Sequence, residues 1–199
     1  MLAERGFTAL AVDMYGDGKQ AHPPDDAGKF ASDVAKNTKL AKARFDSAYS
    51  LISKEKTVDS NRIAAIGSCF GGSVVLNMAH IGEPLKAVIS FHGGLGTKYP
   101  SGRGGYKVKA RVASFTGEGD SKIPATQFAA FRQEMEKAGV TYKMVTYPGA
   151  KHSFTNPDAD KYGQEFKLPL AYNAAADKAS WDECMAFLTN AFHVKDIAK

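Results

Sequence analysis

With 199 residues, 44% of them hydrophobic and 24% charged, the chain is long enough to bury a real core, and the length suits a single α/β domain over residues 1–199. No run approaches the ~18 apolar residues of a membrane span, and residues 1–6 lack the layout of a secretory leader, which points to the cytosol. The net charge of +5 comes from lysines interleaved with Asp and Glu. Even the densest basic stretch (Arg103, Lys107, Lys109, Arg111) reads as solvated surface, so neither nucleic acid nor membrane is an expected partner.

In chain order, FTALAVDMY (7–15) predicts a buried strand, and residues 27–55 predict helix, broken at Asn37-Thr38 where a fresh N-cap can form. RIAAIG (62–67) predicts a second strand and GGSVVLNMAHI (71–81) a helix. KAVISFHG (86–93) predicts a third strand, followed by a Gly- and Pro-rich loop over 94–109. ARVASFTG (110–117) predicts the fourth strand, and 124–138 a helix stopped by Gly139. TYKMVTY (141–147) predicts the fifth, and a polar loop over 148–176 leads to a last helix over 178–192. Apolar strands alternating with amphipathic helices predict a mostly parallel sheet covered on both faces. Ligands of such sheets bind at the carboxyl ends of the strands, so the following loops are where chemistry is sought.

The segment Gly67-Ser68-Cys69-Phe70-Gly71-Gly72 stands between a strand and a helix, the context of a nucleophile elbow. Its glycines relieve Cβ clashes in a tight turn, the helix N-terminus favours a thiolate at Cys69, and the Phe70 N–H can face a developing oxyanion. Asp120 follows the fourth strand and His152 the fifth, which gives the order nucleophile, acid, base. Cys69 would attack as thiolate, His152 would carry the proton, and Asp120 would orient the imidazole, with Glu118 as rival for the acid. Ser68 and Ser73 flank the elbow and are assigned local hydrogen bonds. Tyr15, His92 and Phe154 are candidate substrate contacts. The motif His92-Gly93-Gly94 looks like a lipase oxyanion loop but follows the nucleophile, and it is read as a chance match. Cys69 and Cys184 stand far apart with no CxxC, so neither a disulfide framework nor a metal site is expected.

RIAAIGSCFGG, GEGDSKIP, PGAKHSF and the opening LAERGFTALAVDMYGDG resemble the dienelactone hydrolases (carboxymethylenebutenolidases) over essentially the whole chain. The resemblance implies an α/β-hydrolase fold, a Cys-Asp-His triad on Cys69, Asp120 and His152, and hydrolysis of a small ester or lactone through an acyl-enzyme. No cofactor or metal is implied, and the protein would be a monomer or homodimer. In that family, arginines near the D-x-Y turn and after the catalytic His hold a substrate carboxylate. Here those stretches read MYGDGK and HSFTNP, with no arginine, which points away from dienelactone itself. The family also has further strands before residues 1–6, supplying a second oxyanion donor and a glutamate near the thiol, so the start is read as truncated or misassigned. The alternatives are a class I amidotransferase-like cysteine enzyme, which would place an acid where Phe154 stands, and a non-catalytic binding module on a hydrolase scaffold.

Overall fold

A computed structural model describes residues 2–21, 25–96 and 108–192. The chain divides into two units, Met1–Ile63 and Ala64–Lys199. Most of the loop expected over 94–109, with Arg103 and Lys107 of the basic stretch, lies outside the described residues.

In the first unit, a 3-10 turn at Ala3–Arg5 leads to helices α1 (Asp25–Lys36) and α2 (Thr38–Ile52). The break between them falls at Asn37, whose side-chain carbonyl accepts the Leu40 N–H at 3.0 Å and so caps α2. Residues 7–15 are not the strand that their apolar run predicts. A strand exists only as a member of a ladder, and the ladders among the described residues do not include this segment. The chain instead turns on Asp13, whose carboxylate accepts the N–H groups of Tyr15, Gly16 and Gly18 at 2.7–2.9 Å. These bonds hold the Asp13 carboxyl below its ordinary range.

The second unit is a parallel sheet of β1 (Ala64–Ser68), β2 (Ala87–Phe91), β3 (Arg111–Gly117) and β4 (Tyr142–Tyr147), in that order. Helix α3 (Phe70–Ile81) connects β1 to β2 and packs on both, and α4 (Ala125–Ala138) connects β3 to β4. β2 is buried along its whole length and β3 nearly so, which is why both read as unbroken apolar runs. The largest fully buried side chains among the described residues are Phe115, Phe131, Phe154, Met78, Ile89 and Met135. The register pairs Ser68 with Phe91, Phe91 with Phe115 and Gly117 with Tyr147, so the strands end together along one edge.

The stretch 148–176 is more ordered than a loop. It holds α5 (Ala159–Glu165), and α6 (Ala174–Phe192) begins earlier than its apolar pattern suggests. Asn173 accepts the Ala176 N–H at 3.0 Å and starts that helix with a polar side chain instead of an apolar repeat. Among the described residues no helix is long and apolar enough to cross a membrane.

Candidate active site

Four loops leave the aligned strand ends, and each delivers one polar side chain. Cys69 stands between β1 and α3 with φ 53° and ψ −117°, a left-handed backbone that few non-glycine residues adopt. Its neighbours explain how the turn closes. A Cβ on Gly67 would lie 2.2 Å from the Gly71 carbonyl oxygen, and one on Gly72 would lie 2.6 Å from Ser90 Oγ. Gly71, by contrast, faces open space, so it is not required by the turn's packing. Phe70 opens α3 directly after the thiol. Ser73 Oγ reaches the Cys69 carbonyl at 3.4 Å and accepts the Gly94 N–H at 2.9 Å, a local bonding role.

Asp120 lies beyond β3 in a turn closed by its own groups. Its N–H donates to the Gly117 carbonyl, and its Oδ1 accepts the Lys122 N–H at 2.9 Å. His152 lies beyond β4. The two loops touch because Gly117 has no side chain, since a Cβ there would meet the Ala150 carbonyl oxygen at 2.3 Å. The Gly119 N–H donates to that same oxygen at 2.9 Å. The His152 loop is braced from outside, with a bridge from His152 to Leu170 and an Asn173 N–H bonded to the Phe154 carbonyl.

These placements bring three groups into one chain. Cys69 Sγ is 3.1 Å from His152 Nε2, and His152 Nδ1 is 2.8 Å from Asp120 Oδ2. Asp120 and His152 are buried, while Cys69 is exposed as a residue but has its thiol partly withdrawn from water. Glu118, the rival acid, is exposed, and its main-chain N–H bonds to Tyr147 instead.

The electrostatics follow from that chain. Withdrawal of the sulfur from water pushes the Cys69 thiol up, but hydrogen bonds from His152 and then His92, together with the charges of the two rings, outweigh it and bring the thiol down to about 5. Burial pushes His152 down, but Asp120 and then Cys69 favour its cation and raise it to about 9. Burial likewise opposes ionisation of Asp120, and the hydrogen bond from His152 still holds its carboxyl below the ordinary range. The stable combination at neutral pH is therefore thiolate, imidazolium and carboxylate. Cys184 is the opposite case, buried in α6 and pushed up to about 12.

The other candidates are placed as follows. His92 is buried just beyond β2 and touches the Cys69 main chain. Phe154 is fully buried, with its ring 5.4 Å from that of His92 and 5.5 Å from that of Tyr147. Tyr15 belongs to the first unit, with its ring 5.5 Å from Phe30. Among the described residues, no three His, Cys, Asp or Glu side chains are grouped so as to hold a metal ion. Two features lay outside the sequence reading: Thr155, hydrogen-bonded to His92, and the left-handed backbone at His92 and Ser153.

The family model of the dienelactone hydrolases matches residues 1–192. The chain belongs to the dienelactone hydrolase family. Among solved structures, a dienelactone hydrolase-like promiscuous phosphotriesterase from metagenomic libraries is 30% identical, with a TM-score of 0.85 over 96% of this chain and 77% of that one. A putative carboxymethylenebutenolidase of Synechocystis is 28% identical over 82% of this chain and 71% of its own length. A probable 2-oxo-3-(5-oxofuran-2-ylidene)propanoate lactonase of Bradyrhizobium is 26% identical over 94% of this chain and 74% of its own. This member of the family has the α/β-hydrolase fold and is a lactone or ester hydrolase. That assignment leaves the amidotransferase and binding-module alternatives without support.

The elbow packing makes one direct prediction. Gly67→Ala should destabilise the fold by about 1–3 kcal/mol or more, because its Cβ collides with rigid backbone. Gly71→Ala should be neutral or stabilise by up to about 1 kcal/mol, since alanine suits a helix better. Urea unfolding of the two variants checks the contrast.

Proposed function

We propose that this hydrolase acts by covalent catalysis, with Cys69 as nucleophile, His152 as proton carrier and Asp120 as its orienting acid. The observation that carries the proposal is the unbroken relay from Cys69 Sγ through both nitrogens of His152 to Asp120, with the thiol brought down to about 5.

In the first half-reaction, the thiolate sulfur bonds to the carbonyl carbon of the substrate. The carbonyl electrons move onto oxygen, which the Phe70 N–H at the head of α3 would stabilise. When the carbonyl re-forms, the C–O bond to the leaving group breaks, and His152 Nε2–H protonates the departing oxygen. In a lactone that oxygen stays tethered to the acyl group. The now neutral imidazole then takes a proton from water, whose oxygen attacks the thioester. Collapse breaks the C–S bond, releases the acid and restores the thiolate–imidazolium pair. Asp120 holds the Nδ1–H throughout, which aims Nε2 at sulfur.

The substrate class is a small ester or lactone without a carboxylate to be clamped, because MYGDGK and HSFTNP carry no arginine. The proposed working state is a monomer or homodimer in the cytosol.

The first test is a series of single variants. His152→Ala should lower kcat by roughly a thousandfold or more, and Cys69→Ala should abolish turnover. Asp120→Asn should be damaging and Glu118→Gln harmless; the reverse order would reassign the acid. The second test is the pH profile of kcat/KM. It should rise as pH increases through about 5, where the thiol ionises, and fall beyond about 9, where His152 loses its proton. Asp120→Asn should move the alkaline limb down, because the carboxylate that favours the imidazolium is gone.

A further inference from the structure

A second histidine touches the proposed nucleophile, and the reaction above does not use it. The Cys69 N–H, bonded to the Phe91 carbonyl at 2.9 Å, also points at His92 Nδ1 at 3.2 Å. On the far side of the ring, His92 Nε2 lies 2.9 Å from Thr155 Oγ1, three residues beyond His152. An N–H donor needs a lone pair opposite it, so Nδ1 is unprotonated and the ring's proton sits on Nε2, donated to Thr155. A cationic His92 would turn N–H toward N–H at Cys69.

The backbone is built to hold this ring. His92 has φ 40°, a strained position for a side chain of its size. The next residue is pressed against the elbow, and a Cβ on Gly93 would come within 2.6 Å of the Gly72 carbonyl carbon and 2.7 Å of the Ser73 N. Gly94 is tied to Ser73 Oγ. His152 and Phe154 pack edge-on to the imidazole. The ring is buried with both nitrogens engaged.

We propose that His92 is a positioning residue: its Nδ1 accepts the Cys69 N–H and its Nε2–H is donated to Thr155, so the ring ties the main chain of Cys69 to the loop carrying His152. This rests on Cys69 being the nucleophile. The groups facing the ring are Cys69 from the elbow and His152, Phe154 and Thr155 from the loop after β4. Asp120 stands behind His152.

The tautomer can be read in the full-length protein by two-bond ¹H–¹⁵N NMR of ¹⁵N-histidine-labelled samples at about pH 8, where imidazoles of ordinary pKa are neutral. His92 should show the tautomer protonated at Nε2, with Nδ1 carrying the lone pair that faces the Cys69 N–H. A His92 ring protonated at Nδ1 overturns the proposal. In kinetics, His92→Phe should lower kcat by about 10–100-fold with KM nearly unchanged, as expected for a misplaced nucleophile. His92→Asn should recover part of the loss, because its carbonyl can accept the Cys69 N–H and asparagine tolerates a left-handed backbone. Thr155→Val should act in the same direction, with Thr155→Ser restoring activity. This pair decides the matter if His92→Phe does not fold. Unchanged kcat in both His92→Phe and Thr155→Val, or a raised KM at constant kcat, overturns the proposal. Retained turnover in Cys69→Ala would instead overturn the nucleophile assignment, and the NMR result would stand apart from it.

Discussion

Where β1 gives way to α3, the first turn of the helix lies so near the strand end that Gly67 has no room for a Cβ beside the Gly71 carbonyl. Cys69 takes φ 53° at the apex of the turn, and its sulfur lies 3.1 Å from His152 Nε2. The rest of the site depends on that approach. The sheet register lines up the strand ends, so loops after β3 and β4 can reach the same point. Gly117 then lets those two loops meet at Ala150, which sets Asp120 under His152. Glycine recurs at these contacts because each is a backbone-to-backbone approach that any larger residue would push apart.

The electrostatics have the same economy. Three ionisable groups are partly withdrawn from water, a placement that by itself disfavours every charged form. Each is stabilised by the next, so the charges persist as a set: carboxylate, imidazolium, thiolate. Cys184 shows what burial does without partners, its thiol pushed up to about 12 against about 5 for Cys69. Two thiols of one chain therefore differ widely in nucleophilicity at neutral pH for reasons that lie entirely in their surroundings.

Much of this was legible in the sequence. Strands β2 to β4 are short runs rich in β-branched and aromatic residues, β1 is a shorter Ala-Ala-Ile run that ends in the elbow, and the helices α3 and α4 each have a glycine stop. Cys69, Asp120 and His152 could be named because strand order dictates which loops share an edge, and the structure brings those three within hydrogen-bond distance. The apolar run 7–15 misled because periodicity reports what a segment could bury, not whether a neighbouring strand is there to pair with it. Helix α5 was invisible because it is short and polar, stacking Tyr162 on Phe166 and fitting Gly163 under the Leu170 carbonyl without an apolar stripe. The packing of His92 was illegible for a different reason. Its partner atoms are a main-chain N–H and a threonine hydroxyl, and no residue pattern announces either.

The account stands or falls on the sulfur of Cys69 becoming acylated during turnover. Mixing the protein with an activated ester, quenching in acid within the first turnovers and mapping the adduct by peptide mass spectrometry tests this directly. An acyl group on the Cys69 peptide, with Cys184 unmodified, is the predicted result. Continued ester turnover with the acyl group on Ser68 or Ser73, or on Cys184 alone, would contradict it.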